Sequence, residues 1–306
     1  MSFSKDFIWG TAMSAYQIEG AFDADGKGLH VWDAFAHRPG KVYGGHTGDV
    51  ACDHYHRYAE DFRLMAALGL RNYRFSVDWS RVLPEGCGQP DEKGLAFYDR
   101  LIDSMLEYGI TPWLTLFHWE YPLALQKRGA WENPDSPRWF SDYAHLIARR
   151  YGDRVKNFFT LNEPQCFIGL GYCQGEHAPG LKLPVDSTIA MSHHVLLAHG
   201  LSTLALRAGV PGAKVGYAPC ASPACLPHPG RAKMEKSAAA SAARLRDFFA
   251  IMKTALRNMR QTVKIESRLC IKYRTNRDKF QPRGGNVLQC RRRPVRLLNL
   301  AAAKNF

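Results

Sequence analysis

The feature that most constrains this chain is a regular alternation of short apolar runs with longer segments of helical period. Residues 53–68 carry Tyr55, Ala59, Phe62 and Ala66 on one face, and Gly69 stands where a helix would end. Residues 70–77 then read as a strand. Residues 91–108 place Tyr98, Leu101, Ile102, Met105 and Leu106 on one stripe, closed by Gly109. Residues 110–117 are almost continuously apolar, as expected of a parallel strand covered on both faces. Helical segments at 137–151 and 186–208 bracket another apolar run that ends at Leu161, and residues 213–217 form a further strand. With a first strand near residue 7, this alternation gives a parallel sheet, and a (β/α)8 barrel is its natural closure.

In such a barrel the side chains at the carboxyl ends of the strands face the active-site mouth. Thr160-Leu161-Asn162-Glu163-Pro164 is therefore the first candidate site: an apolar run ending in an amide and a carboxylate, stopped by a proline that cannot continue a ladder. His118-Trp119 follows the 110–117 run in the same way. Gln17 and Glu19 stand among small and apolar residues in 7–21, where small side chains let backbone approach a ligand. Arg74, flanked by apolar strand residues, calls for a buried partner. A lone polar residue in any of these places is more often a solvated loop or core group, so the weight lies in their combination.

That combination resembles glycoside hydrolase family 1, the β-glucosidase-like enzymes. Four motifs occur in order: 7–21, Arg74-Phe75-Ser76 with Trp79-Ser80-Arg81, Leu116-Phe117-His118-Trp119 with Pro122, and Thr160–Pro164. Gly26-Lys27-Gly28 with Val31-Trp32-Asp33, and Gly175–Gly180, also look familial. The resemblance implies a retaining β-glucosidase acting on terminal β-D-glycosides, with Glu163 as acid/base. It implies that Gln17, His118 and Asn162 bind the sugar, that Trp119 flanks it, and that Arg74 supports the nucleophile from the barrel floor. A small β-glucoside or oligosaccharide is the implied partner, with no cofactor. Two departures stand out. Glu120-Tyr121 replaces the more usual Asp-Leu, and Gln165 stands where many members carry a tryptophan against the leaving group.

The resemblance runs from residue 7 to about 219. Retention needs a second carboxylate roughly 5 Å from the first. The family supplies it from a Thr-Glu-Asn-Gly-like motif on the seventh strand, which is absent here. Glu235 and Glu266 are the only glutamates after residue 219, and neither ends an apolar strand. About three of the eight strands are missing by the barrel count. The expectation is a partial barrel over 1–230 joined to a non-familial basic tail over 231–306, disordered or out of frame, so that a catalytically inactive truncated fragment is the alternative to an enzyme.

Charge sharpens that boundary. Residues 231–306 hold 20 of the 41 Lys+Arg but 4 of the 28 Asp+Glu, a net of +16, which leaves −3 for residues 1–230 out of a total of +13. A basic tail suggests nucleic acid or an anionic membrane, but Tyr273 and Phe280 are its only aromatics between Phe249 and Phe306, too few for a stacking platform. Residues 22–50 and 169–182 read as loops; Gly44–Asp49 lacks the strand–helix context of a phosphate loop. His194 and His199, five apart, have the wrong spacing for a helical metal pair, so no metal is expected. No apolar run reads as long enough to span a bilayer, and no secretory segment is evident. With eight cysteines in no ligand spacing, a cytoplasmic location is expected. Nothing in the sequence bears on oligomeric state.

Overall fold

The computed structural model describes residues 3–4 and 6–220. The tail boundary at 230 and everything assigned to 231–306 lie outside the described residues. The described residues belong to one compact unit.

Among the described residues, five parallel strands form one sheet in sequence order: β1 Thr11–Ala12, β2 Asn72–Ser76, β3 Thr111–Phe117, β4 Asn157–Asn162 and β5 Lys214–Ala218. Four long helices connect or flank them: α1 His54–Ala67, α2 Glu92–Glu107, α3 Ser136–Tyr151 and α4 Val185–Gly209. The (β/α) alternation is that of a partial barrel. Because every pairing is parallel, all carboxyl ends lie along one edge. The register sets Arg74 against Trp113, Leu114 against Phe158 and Asn162 against Ala218, with an irregularity in β4 between Phe159 and Asn162.

The helices form for the reasons their sequences suggest. Asp91 caps α2 by accepting from the Lys93 and Gly94 amides, and Gly109 takes the left-handed conformation that ends it. Pro137 sits in the first turn of α3, where its missing N–H costs nothing. The buried face of α2 is Leu95, Tyr98, Leu101, Ile102 and Met105, all 1 % exposed or less. Each such side chain contributes roughly 1.5–3 kcal/mol by leaving water. Between α3 and the sheet, Trp79 stacks on Tyr143 at 5.0 Å, and Tyr121, Trp131 and Phe140 pack around them.

Three expectations need correction. Residues 22–50 are not all loop: Val31–Ala36 is a helix, closed by a capping box in which His30 Nδ1 accepts from the Asp33 amide and Asp33 accepts from the His30 amide. Residues Phe167–Gln174, partly inside the expected 169–182 loop, form a π-helix. No apolar run in the sequence reads as membrane-spanning, yet α4 is long and apolar enough by composition. It packs on α3, β4 and β5, burying Met191, Val195, Ala198, Ala205 and Leu206, as a barrel helix does.

Candidate active site

The strand ends bring the expected residues together. Asn162, the last residue of β4, is the hub. Its Oδ1 accepts from Arg74 Nη2 at 2.7 Å, and its Nδ2 donates to His118 Nε2 at 2.9 Å. Its carbonyl accepts from Trp119 Nε1 at 2.9 Å. One amide thus ties β2, β3 and β4 at the mouth. The asymmetry of an amide is what allows this, because it accepts from a cation on one side and donates to a neutral ring on the other.

Glu163 follows in a left-handed conformation (φ 46°), and Trp119 also has positive φ (88°). Neither residue type favours that region, and such strain clusters at functional sites. The Glu163 backbone is held by its N–H to the Ala218 carbonyl at 2.7 Å, and Pro164 starts the next turn. The Cys166 thiol is pushed up to about 12, first by burial and then by the Glu163 carboxylate beside it. Gln165, in place of the expected tryptophan, donates to the Cys220 carbonyl just after β5 at 2.6 Å.

His118 is held neutral. Burial first, then the Arg74 charge, lower its pKa to about 3. Its Nε2 accepts from Asn162, which puts the proton on Nδ1.

The resemblance pairs Arg74 with the nucleophile carboxylate, whose motif this sequence lacks; among the described residues Arg74 has no ion pair. Its Nε donates to Thr115 Oγ1 at 2.8 Å, and its guanidinium lies over the Phe159 ring at 4.7 Å. Burial lowers its pKa while the Glu163 charge draws it back up. Gln17 lies in the short helix Ala15–Ile18 at the end of β1 with its side chain exposed. His199, read as a core or face residue, is one: its Nδ1 lies 2.7 Å from Thr160 Oγ1. No group of described residues could hold a metal ion.

Beneath the mouth lies a buried polar network that no single sequence segment reveals. Arg81 Nε donates to Glu19 Oε2 at 3.1 Å, and Tyr98 Oη donates to Glu19 Oε1 at 2.7 Å. Asp78 caps the turn Trp79–Val82 through its Oδ1, while its Oδ2 faces Lys27 at 3.6 Å and His30 at 3.5 Å. Lys27 also donates to Asp33 at 2.9 Å. Burial alone would raise the Asp78 carboxyl, but Lys27, His30 and Arg81 pull it down to about 2. Burial and the nearby Lys27 charge keep His30 neutral, near 4. Burial raises Glu19, and burial together with Asp78 raises Glu120 well above the usual range. The network pins the 22–50 segment to the ends of β1 and β2. A lysine and a histidine inside a Gly-Lys-Gly…Trp-Asp landmark were the signal for it.

A partial (β/α) barrel with an Asn-Glu pair at the end of its fourth strand defines a glycosidase-type scaffold, and sequence comparison agrees. The family profile "Glycosyl hydrolase family 1" matches residues 1–265, so the chain belongs to glycosyl hydrolase family 1. That match extends past residue 219, where the motifs end. The chain is 48% identical over 218 residues to β-glucosidase A of Acetivibrio thermocellus, covering 71% of this chain and 48% of that protein. It is 51% identical over 231 residues to thermostable β-glucosidase B of Thermobispora bispora, covering 75% and 47%. Among solved structures it is similar to the Thermotoga maritima β-glucosidase in complex with deoxynojirimycin, with TM-score 0.69, 46% identity, and 70% and 49% of the two chains covered. The chain spans about half the length of the curated relatives it matches.

Proposed function

We propose that this chain carries the acid/base and sugar-binding half of a retaining β-glucosidase site for terminal β-D-glucosides. The observation that carries the reading is the Arg74–Asn162–His118 clamp set directly before Glu163 at the mouth of the sheet. Glu163 protonates the glycosidic oxygen as the bond breaks and later draws a proton from water. Asn162, already oriented by two hydrogen bonds, presents its remaining N–H to the 2-hydroxyl, a contact that strengthens as the anomeric carbon becomes positive. His118 and Gln17 hold the other hydroxyls, and Trp119 supplies an apolar wall. Relatives named β-glucosidases support the substrate class.

The attack on the anomeric carbon needs a second carboxylate on the opposite side of the bond. Arg74 is a half-buried cation able to receive one, and the sequence after β5 offers no motif that supplies it. A sugar-binding protein without turnover is therefore the second reading, favoured by that missing motif. The same account carries a cytoplasmic location, supported by five described cysteines that are free thiols.

The test is calorimetric titration of the full chain with deoxynojirimycin. Saturable binding that is lost in His118→Ala supports the reading; absence of binding, or binding unchanged in that variant, rejects it.

A further inference from the structure

The departure at Glu120 has a structural consequence. Gln17 sits in a helix of only four residues, Ala15–Ile18, which is too short to hold itself in place. Its first amides have no helical partners and must find others. The Gln17 amide donates locally to the Ser14 carbonyl at 3.1 Å. The other two reach across the sheet. The Ala15 amide donates to Ser76 Oγ at the end of β2 at 2.7 Å, and the Tyr16 amide donates to Glu120 Oε1 just past β3 at 3.1 Å.

Glu120 is itself tightly placed. It is 1 % exposed and follows Trp119, whose positive φ turns the chain. On its other side the Tyr121 carbonyl accepts from the Val31 amide at 3.0 Å. Its Oε2 is buried without a hydrogen-bond partner among the described residues. The one hydrogen bond that ties the carboxyl to another residue is the Tyr16 amide, and that bond lies next to Gln17.

We propose that Glu120 is a positioning residue: its side-chain length sets where Gln17 stands relative to His118, and so fixes the width of the subsite that grips the sugar hydroxyls. What that subsite binds rests on the β-glucosidase reading; the tie between Glu120 and the Gln17 turn does not. Asp78 and Glu19 are the acidic groups that bear on Glu120. Glu120 Oε1 only accepts from the Tyr16 amide, and burial and their charges favour the uncharged carboxyl, so an amide of the same shape can do the same work. Aspartate, one methylene shorter, cannot reach Tyr16 unless the turn moves toward β3.

The test uses the full chain and the variants Glu120→Gln, Glu120→Asp and Glu120→Leu. Amide hydrogen exchange at Tyr16 is read by NMR, and deoxynojirimycin affinity by calorimetry. The expected result is protection of Tyr16 in the wild type and Glu120→Gln. In Glu120→Asp and Glu120→Leu that amide should exchange at least about tenfold faster, roughly the worth of one buried hydrogen bond, while β3 amides stay unchanged. Affinity should stay within about twofold in Glu120→Gln and fall about tenfold in Glu120→Asp. Protection that persists in Glu120→Leu and Glu120→Asp overturns the proposal, as does faster exchange in Glu120→Asp with unaltered affinity. If Glu120→Leu does not fold, Glu120→Asp against Glu120→Gln still decides. If the wild type binds no deoxynojirimycin, the functional reading fails and Tyr16 exchange alone decides the tie.

Discussion

Replacing Asn162 by alanine tests the hub of the site. Asn162 is 5% exposed and makes two side-chain hydrogen bonds, to a guanidinium at 2.7 Å and to a neutral imidazole at 2.9 Å. A hydrogen bond to a charged group contributes roughly 1.5–3 kcal/mol, and a neutral one about 0.5–1.5. Arg74 keeps Thr115 and the Phe159 ring, which puts its loss at the lower end. His118 is left with neither ring nitrogen satisfied by protein, since Nδ1 already lacks a partner among the described residues. Asn162→Ala should therefore cost about 2–4 kcal/mol, or roughly 5–15 °C in melting temperature for a domain of this size. Asn162→Asp separates the two bonds. It keeps an acceptor for Arg74 and gains an ion pair, but cannot donate to His118. Its carboxylate also makes the His118 imidazolium easier to form, so the ring should titrate above its wild-type value of about 3. Differential scanning calorimetry and the pH dependence of the His118 ring signals read both effects. Asn162→Ala melting within about 1 °C of wild type would refute the clamp, because no buried pair of this kind could then exist.

Other consequences follow from the packing. Arg81→Met leaves the buried Glu19 carboxyl without its cation and should cost about 3–5 kcal/mol in urea titration. At Gly28 an added Cβ would lie 2.2 Å from the Pro84 carbonyl oxygen, so Gly28→Ala should destabilise by about 1–3 kcal/mol in the same assay. Two variants should show opposite pH trends. Burial lowers His199 to about 4, so its penalty appears as pH falls below the unfolded value near 6.5 and is complete by about 4; His199→Gln should gain on wild type over that window. Glu120 is raised, so its penalty appears as pH rises above the unfolded value near 4.3; Glu120→Gln should match wild type at pH 3 and exceed it at pH 7. Melting temperatures measured across pH check both signs.

The scaffold was readable because its signals are local. The α2 stripe from Tyr98 to Met105 and the unbroken apolar run of β3 each declare themselves within one element. The site was readable for a different reason: Asn162, Glu163, His118 and Trp119 stand directly after apolar strands, and a parallel sheet gathers such positions at one edge. The buried network could not be read this way. Lys27, Asp33 and Asp78 meet across some fifty residues, and Glu120 meets Tyr16 across 104. Only the closed packing reveals that these charges face one another rather than water. The capping box at Val31–Ala36 was hidden because His30 is not among the usual capping residues. Arg74 lay as expected in the sheet, but its hydroxyl and amide partners depend on register between three strands, which no single segment encodes.

The most direct measurement is turnover of phenyl β-D-glucoside by the full chain with and without added formate. The phenol is a leaving group basic enough to need a proton, and formate can stand beside Arg74 as the missing carboxylate nucleophile. The account predicts phenol release that depends on formate and disappears in Glu163→Gln. Release that survives Glu163→Gln would contradict Glu163 as the acid/base, and no release with formate present would contradict the claim that this half of the site is assembled for catalysis.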